Sequence, residues 1–246
     1  MIVGFVGAGS MAAAMARGLV GEVEGMLFTD SGSGRAAALA AELGAEAVES
    51  NRELAERADL VVLAVKPAKL EHVGGELGGA KAVVSLLGAT SLQKVETAVP
   101  GAEVARVMPN LAVEVRRGVL CLAGEASVEV RGLLEALGHV VELPDAELDA
   151  ATAVMGCAPA YLALAVEAIA AAGAEAGLDE GLARELVVET TAGTAELLRE
   201  RHPADLRKAV ASPGGSTEAG LEALDRERAR EAFEAAVRAS LERMRL

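Results

Sequence analysis

A doubly wound, mainly parallel α/β sheet followed by an all-helical region is the fold class this sequence predicts, and three observations predict it. Short apolar runs alternate with amphipathic stretches from Met1 to about Leu143, as β-α-β units require. The first run, Met1-Ile-Val-Gly-Phe-Val6, leads directly into Gly7-Ala-Gly-Ser-Met-Ala12, a Gly-x-Gly-x-x-Ala turn of the kind that opens a helix beneath a dinucleotide. From Asp145 onward the strand pattern stops, and the chain reads as helices broken at Pro159, Gly177-Leu-Asp179, His202-Pro203 and Pro213-Gly-Gly215. The expected division is a Rossmann-type domain over 1–143 and a helical domain over 144–246, with Pro144 at the boundary.

Taken in order, the elements carry their own signals. Gly7 permits a tight turn, Gly9 lets a pyrophosphate approach the backbone, and Ala12 is small enough for close packing of helix on strand. The helix is expected to run to about Leu19. Gly25-Met-Leu-Phe-Thr29 is the second strand and ends in Asp30, placed where an acid would bond the ribose hydroxyls of NAD. The loop Ser31-Gly-Ser-Gly-Arg35 offers hydroxyls, a helix N-terminus and a guanidinium, all suited to the 2′-phosphate of NADP. The two readings stay open at this point, beside a solvated strand-to-helix loop.

Gly34 to Leu43 is expected to be helical, Ala45 to Val48 a short strand, and Asn51 the start of a helix capped by itself or by Ser50. Leu60-Val-Val-Leu-Ala-Val65 is a continuous apolar run, the mark of a central parallel strand covered on both faces. It ends in Lys66-Pro67, so Ala64 to Pro67 lies at a strand carboxyl end, where open α/β sheets build their sites. Ala82 to Leu87, followed by Gly88-Ala-Thr90, and Val104 to Met108, followed by Pro109-Asn110, repeat the pattern. Gly118 to Ala123 and Val140 to Leu143 flank a helix from Val128 to Leu137.

Composition narrows the partners. The 246-residue chain carries a formal net charge of −14, which argues against nucleic acid or an anionic membrane as a partner, because both need basic patches that an acidic surface would repel. With 52% hydrophobic residues but only 2% aromatics, the core must be built from Leu, Val and Ala. Cys121 and Cys157 lack metal or redox spacing and read as reduced, buried thiols; no metal site is expected. The N-terminus lacks the pattern of a signal peptide, and a cytoplasmic location is expected. Ala150 to Ala174 is nearly all apolar, yet rich in Ala and Gly and interrupted by Pro159, so it reads as a helix covered on every side, by a partner subunit, rather than as a membrane span. His72, His139 and His202 read as surface or capping residues.

Near the end of the chain, Pro213 stops a helix, Gly214 and Gly215 turn the backbone, and Ser216-Thr217 are placed to cap the next helix. A helix start of that kind attracts anions. By residue types alone it is equally an ordinary turn between helices.

Gly7-Ala-Gly-Ser-Met-Ala12, Asn51, Ala64-Val-Lys-Pro67, Met108-Pro-Asn110, Ala158-Pro-Ala-Tyr161 and Ser212-Pro-Gly-Gly-Ser-Thr-Glu-Ala-Gly220 together resemble the pyrroline-5-carboxylate reductase family in order and spacing. The resemblance implies reduction of the cyclic imine 1-pyrroline-5-carboxylate to L-proline by NADP(H), with NAD(H) as the alternative cofactor. It also implies helical domains interlocked as a homodimer, with dimers assembling further. Carried over by position, Val6, Gly7, Ala8, Gly9, Ser10, Met11, Asn51, Ala64, Val65, Lys66 and Pro67 would hold the cofactor, beside Asp30 and Ser31 from the residue reading. Gly215, Ser216 and Thr217 would hold the substrate carboxylate on their amides, and the Thr217 hydroxyl would bond the ring nitrogen as the catalytic contact. Asp145 matches an acid near the substrate ring, or is helix N-terminal charge in the run Asp145, Glu147, Asp149.

The chain departs from the family pattern in Val154-Met-Gly-Cys-Ala158, where the family commonly has Ser-Gly-Ser-Gly, and in Lys208-Ala209, where it has Asp and a polar amide. Two other readings are kept. A relative of the 3-hydroxyacid dehydrogenases would use a lysine on a helix of the second domain, which here holds only Lys208. A dinucleotide-binding scaffold without turnover would bind cofactor and leave it unoxidised.

Overall fold

The computed structural model describes residues 1–244; residues 245 and 246, the end of the expected helical domain, lie outside the described residues. Two compact units are present: Met1–Cys157 with the end of the last helix from Ser240, and Ala158–Ala239.

The first unit runs β1 (Ile2–Val6), α1 (Ser10–Gly18), β2 (Gly25–Thr29), α2 (Arg35–Leu43), β3 (Glu46–Ala47), α3 (Asn51–Arg57), β4 (Leu60–Leu63), α4 (Leu70–Gly74), β5 (Ala82–Ser85), α5 (Leu92–Ala98), β6 (Glu103–Pro109), β7 (Gly118–Gly124), α6 (Val128–Ala136) and β8 (Gly138–Glu142). Its sheet has the order β3-β2-β1-β4-β5-β6-β7-β8. The strands β1 to β6 are mutually parallel, β7 runs antiparallel to β6, and β8 is parallel to β7. The reversal follows from the connection before β7, a 3₁₀ turn over Leu111–Val115, too short for the crossover that a parallel neighbour needs.

Side-chain alternation explains why the central strands read as continuous apolar runs. In β4, Leu60 and Val62 enter one core while Val61 and Leu63 enter the other, the period of two of a strand covered on both faces. On the first face Phe5 stacks on Phe28 with ring centroids 5.2 Å apart. On the second, Leu54, Leu63 and Leu77 are fully buried. Helix α3 is capped by Ser50, whose hydroxyl accepts the Glu53 amide at 3.1 Å. Of the two cap residues open in the sequence, the structure uses Ser50.

After Pro144 the chain continues in helical turns over Asp145–Glu147, Leu148–Ala151 (α7) and the π turn Thr152–Gly156. Leu148 and Ala153 are completely buried, and Leu148 packs with Met108 and Cys121 of the sheet. The strand pattern therefore stops at Pro144, while compact packing onto the sheet carries on to Cys157. Both cysteines are free thiols; Cys121 is buried, and burial pushes its thiol pKa up, whereas Cys157 is only half-buried.

The second unit contains α8 (Ala158–Glu175), α9 (Glu180–Glu200), α10 (Pro203–Val210), α11 (Ser216–Arg226) and most of α12 (Ala229–Met244). Pro159 does not break a helix; it sits in the first turn of α8, where its missing amide leaves no bond unmade. Asp179 caps α9 by accepting the Leu182 amide, and His202 caps α10 by accepting the Ala204 amide on Nδ1. A break between α11 and α12 carries no Pro or Gly: Arg228 takes the left-handed conformation at φ 57°. Leu162, Leu164 and Ile169 on α8 are 56%, 65% and 59% exposed, so the apolar helix that the sequence expects to be covered is uncovered within one chain.

Candidate active site

Strand order reverses direction between β1 and β4, so a crevice opens at their carboxyl ends, the position at which such sheets bind ligands. Gly7 follows β1 with φ 100°, its amide donating to the Thr29 carbonyl at 3.0 Å. A Cβ at Gly7 would stand 2.5 Å from the Ala64 carbonyl oxygen, so no larger residue fits the turn. At Gly9 an added Cβ would meet nothing within 4 Å, and Gly9 caps α1 without any side-chain bond. The first amides of α1, from Ser10 and Met11, thus face open space with no acceptor inside the helix. Free amides at a helix start with open space before them are the geometry that a pyrophosphate requires. The Val6 carbonyl accepts the Ala64 amide at 2.9 Å, which joins the β1 turn to Ala64, Val65, Lys66 and Pro67 after β4. Ala8 is buried against α1, while Lys66 and Pro67 are exposed on the rim.

At the end of β2, Asp30 is turned into its own loop. Its Oδ1 accepts the Gly32 and Ser33 amides at 2.7 and 3.0 Å, and its Oδ2 accepts the Ser33 hydroxyl and the Ala36 amide at 2.7 and 2.9 Å. These bonds, that of Ala36 foremost, lower the carboxyl pKa to about 2. Each oxygen accepts twice, so its lone pairs are filled. In this arrangement the carboxylate is engaged by its own loop rather than turned outward. Ser31 and Arg35 remain exposed around the N-terminus of α2, donors of the kind that bind phosphate; Ser33 has its amide and hydroxyl committed to Asp30 and accepts from the Arg35 Nε at 3.0 Å. Asn51 is held from both sides: its Oδ1 accepts the Thr29 hydroxyl and its Nδ2 donates to Glu76, each at 2.6 Å.

Asp145 belongs to the sheet unit, with its carboxylate engaged there: Oδ1 accepts from Arg106 at 2.6 Å and Oδ2 from the Leu92 amide at 3.0 Å. Arg106 was not singled out in the sequence; the available signal was a lone charge inside the apolar run Val104 to Met108.

In the helical unit, Gly214 has φ 72° and Gly215 is the extended N-cap of α11. This changes two expectations. Ser216 and Thr217 do not cap the helix; they are its first two residues, with exposed side chains, because the glycines already supply the turn and the cap geometry. The Gly215 amide donates to the Ser212 carbonyl at 2.9 Å, so the helix-start donors begin with Ser216. Glu218 reaches back to accept the Gly214 amide at 2.6 Å, a carboxylate placed at the positive end of α11. None of the three histidines lines either group: His72 and His139 are exposed, and His202 caps α10.

A dinucleotide cradle on a doubly wound sheet, joined to a helical unit, defines a nucleotide-dependent oxidoreductase of two-part build. Residues 2–88 match the family model described as NADP oxidoreductase, coenzyme F420-dependent, and residues 145–246 match that described as pyrroline-5-carboxylate reductase dimerisation. A pyrroline-5-carboxylate reductase of Synechocystis is 40% identical over 204 residues, covering 78% of this chain and 76% of that protein. The solved structure of 1-pyrroline-5-carboxylate reductase from Streptococcus pyogenes superposes with a TM-score of 0.91 at 29% identity, covering 100% of this chain and 98% of that one. The Plasmodium falciparum enzyme, solved with NADP bound, gives 0.87 at 26% identity, covering 100% and 97%. The chain belongs to the pyrroline-5-carboxylate reductase family.

Proposed function

We propose that this protein reduces 1-pyrroline-5-carboxylate to L-proline with NADPH, the last step of proline synthesis. The observation that carries the cofactor part is the Gly7–Met11 turn with its open face at Gly9; the substrate part rests on family membership. The residues fit the cofactor: α1 amides for the pyrophosphate, Ser31 and Arg35 for a 2′-phosphate, and Asn51 with Ala64 to Pro67 along the crevice. Bound there, NADPH supplies the hydride, and the protonated imine is electrophilic enough to need no strong protein acid.

The helical part from residue 144 is then the substrate-binding and dimerisation domain. The Ser216 and Thr217 amides would take the substrate carboxylate and the Thr217 hydroxyl the ring nitrogen, which orients the C=N bond. Gly215 contributes the turn rather than a donor, since its amide is already bonded. The exposed apolar face of α8 supports a homodimer whose second copy covers it, rather than a membrane. The segment Asp145–Glu175 is long and apolar enough to cross a membrane, but its run of Ala favours helix packing over insertion. Assembly of dimers into larger particles and a cytoplasmic location complete the proposal.

The experiment is loss of NADPH absorbance on adding 1-pyrroline-5-carboxylate, run in parallel with NADH. Turnover with proline as product is expected. Tight NADPH binding without oxidation would replace the reductase reading by that of a dinucleotide-binding scaffold.

A further inference from the structure

We propose that Arg106 and Asp145 form a buckle that positions the nicotinamide-side turn of the crevice, Leu87 to Leu92, and that Asp145 acts through this turn rather than by touching substrate. Three observations converge. Arg106 leaves β6 beneath the turn with its side chain only 3% exposed. Its Nη2 donates to the Leu87 carbonyl at 3.4 Å, where the chain leaves β5, and its Nη1 donates to Asp145 at 2.6 Å. The other Asp145 oxygen accepts the Leu92 amide at 3.0 Å, where the chain enters α5. One ion pair thus grips the turn at both ends.

Between the grips, Thr90 is buried and its hydroxyl donates to the Gly88 carbonyl at 3.1 Å. Ala89, exposed at the tip, is held at φ 53°, a conformation that persists for a residue with a Cβ only when its surroundings over-determine it. The Asp149 carboxylate stands 3.6 Å from the same guanidinium. A strand this well buried would pack as stably around an apolar residue. The guanidinium bonds the Leu87 carbonyl and the Asp145 carboxylate while its Nε is buried without a partner, so what the pair gains is direction rather than stability.

The turn's place in the sheet gives that direction a use. It follows β5, the neighbour of β4 on the far side of the β1/β4 crevice from β2. A dinucleotide lying across such a crevice has its adenosine half over β1 and β2 and its other half over β4 and β5. Gly88 and Ala89 are therefore the backbone against which the nicotinamide half is set. A displaced support of this kind costs rate through misplacement of the reacting group.

This inference rests on the NADPH-dependent reading, and its test separates the two. Arg106→Lys keeps the charge but loses the planar fork, and Asp145→Asn keeps an acceptor but loses the charge. In each variant the Kd values of NADP⁺ and of 2′,5′-ADP, which carries the adenosine half alone, are measured by calorimetry beside thermal unfolding. The expected result is an NADP⁺ Kd raised about fivefold or more with that of 2′,5′-ADP within about twofold of wild type, and kcat lowered with little change in the KM of the imino acid. Equal weakening of both ligands, or unchanged NADP⁺ binding in the folded Asp145→Asn protein, would overturn the buckle. Absence of NADPH oxidation by the wild-type protein would sink the reductase reading, while the two binding constants would still decide the buckle.

Discussion

The carboxylate of Asp30 accepts the amide of Ala36 at 2.9 Å, so an acid at the end of β2 serves as the anchor of the first turn of α2. The same carboxylate gathers the Gly32 and Ser33 amides and the Ser33 hydroxyl. An acid in this position ordinarily selects NAD by accepting the ribose hydroxyls; here that capacity is already filled. Beside it, Ser31 and Arg35 are exposed at the start of α2.

Cofactor selectivity tests this directly. Arg35→Ala combined with Ser31→Ala is expected to raise the KM for NADPH about tenfold while leaving that for NADH nearly unchanged, the loss of charge-assisted bonds to a 2′-phosphate. Asp30→Ala is expected to weaken NADPH use by loosening the loop. A selective loss of NADH turnover in that variant would show that Asp30 reaches the ribose after all.

The same carboxylate makes a prediction in pH. Its folded-state pKa lies at about 2, against about 3.9 in an unfolded chain. A depressed acid contributes stability that is complete above the unfolded value and is lost as pH falls through the folded one. The difference in urea midpoint between wild type and Asp30→Asn is therefore expected to be constant from neutral pH to about 5, and to shrink towards zero between about 4 and 2. A difference that grew on acidification would contradict the hydrogen-bonding pattern.

Thr217 and Glu218 make opposite predictions at the start of α11. Thr217→Ala is expected to lower kcat/KM for the imino acid about tenfold, the worth of one well-placed polar contact. Unchanged turnover would remove the role assigned to its hydroxyl. Glu218 holds a negative charge where the substrate carboxylate is proposed to lie, so Glu218→Gln is expected to lower the substrate KM about twofold to fivefold at low salt. Steady-state kinetics against salt concentration checks the sign.

The exposed face of α8 predicts an assembly. Leu164, 65% exposed in one chain, would be buried by a second copy, and Leu164→Asp would then place an unpaired charge in an apolar contact. Sedimentation velocity is expected to show a dimer for the wild type and monomer or aggregate for the variant. An unaltered dimer would move the interface elsewhere.

Much of the first unit was legible in the sequence because its signals are local. The strand Gly25–Thr29 has the bounds its composition suggests, and Gly7 is demanded by a turn that only glycine can make. The helix breaks at Gly177, Pro203 and Pro213 follow residues that cannot continue a helix. The break at Arg228 was not legible, since nothing in an arginine announces a left-handed backbone. Pro159 misled in the other direction: a proline marks a helix start as readily as a stop, and only the π turn before it decides which.

By itself, then, the sequence determined the order of elements, the dinucleotide turn and the family, because each is carried by residue type at fixed spacing. The tertiary structure alone decided what the polar side chains do. Asp30 binds its own loop, Gly215 gives its amide to Ser212, and Asp145 closes on Arg106 from far along the chain. A carboxylate's role depends on which donors surround it, and those donors are brought together by packing rather than by proximity in sequence.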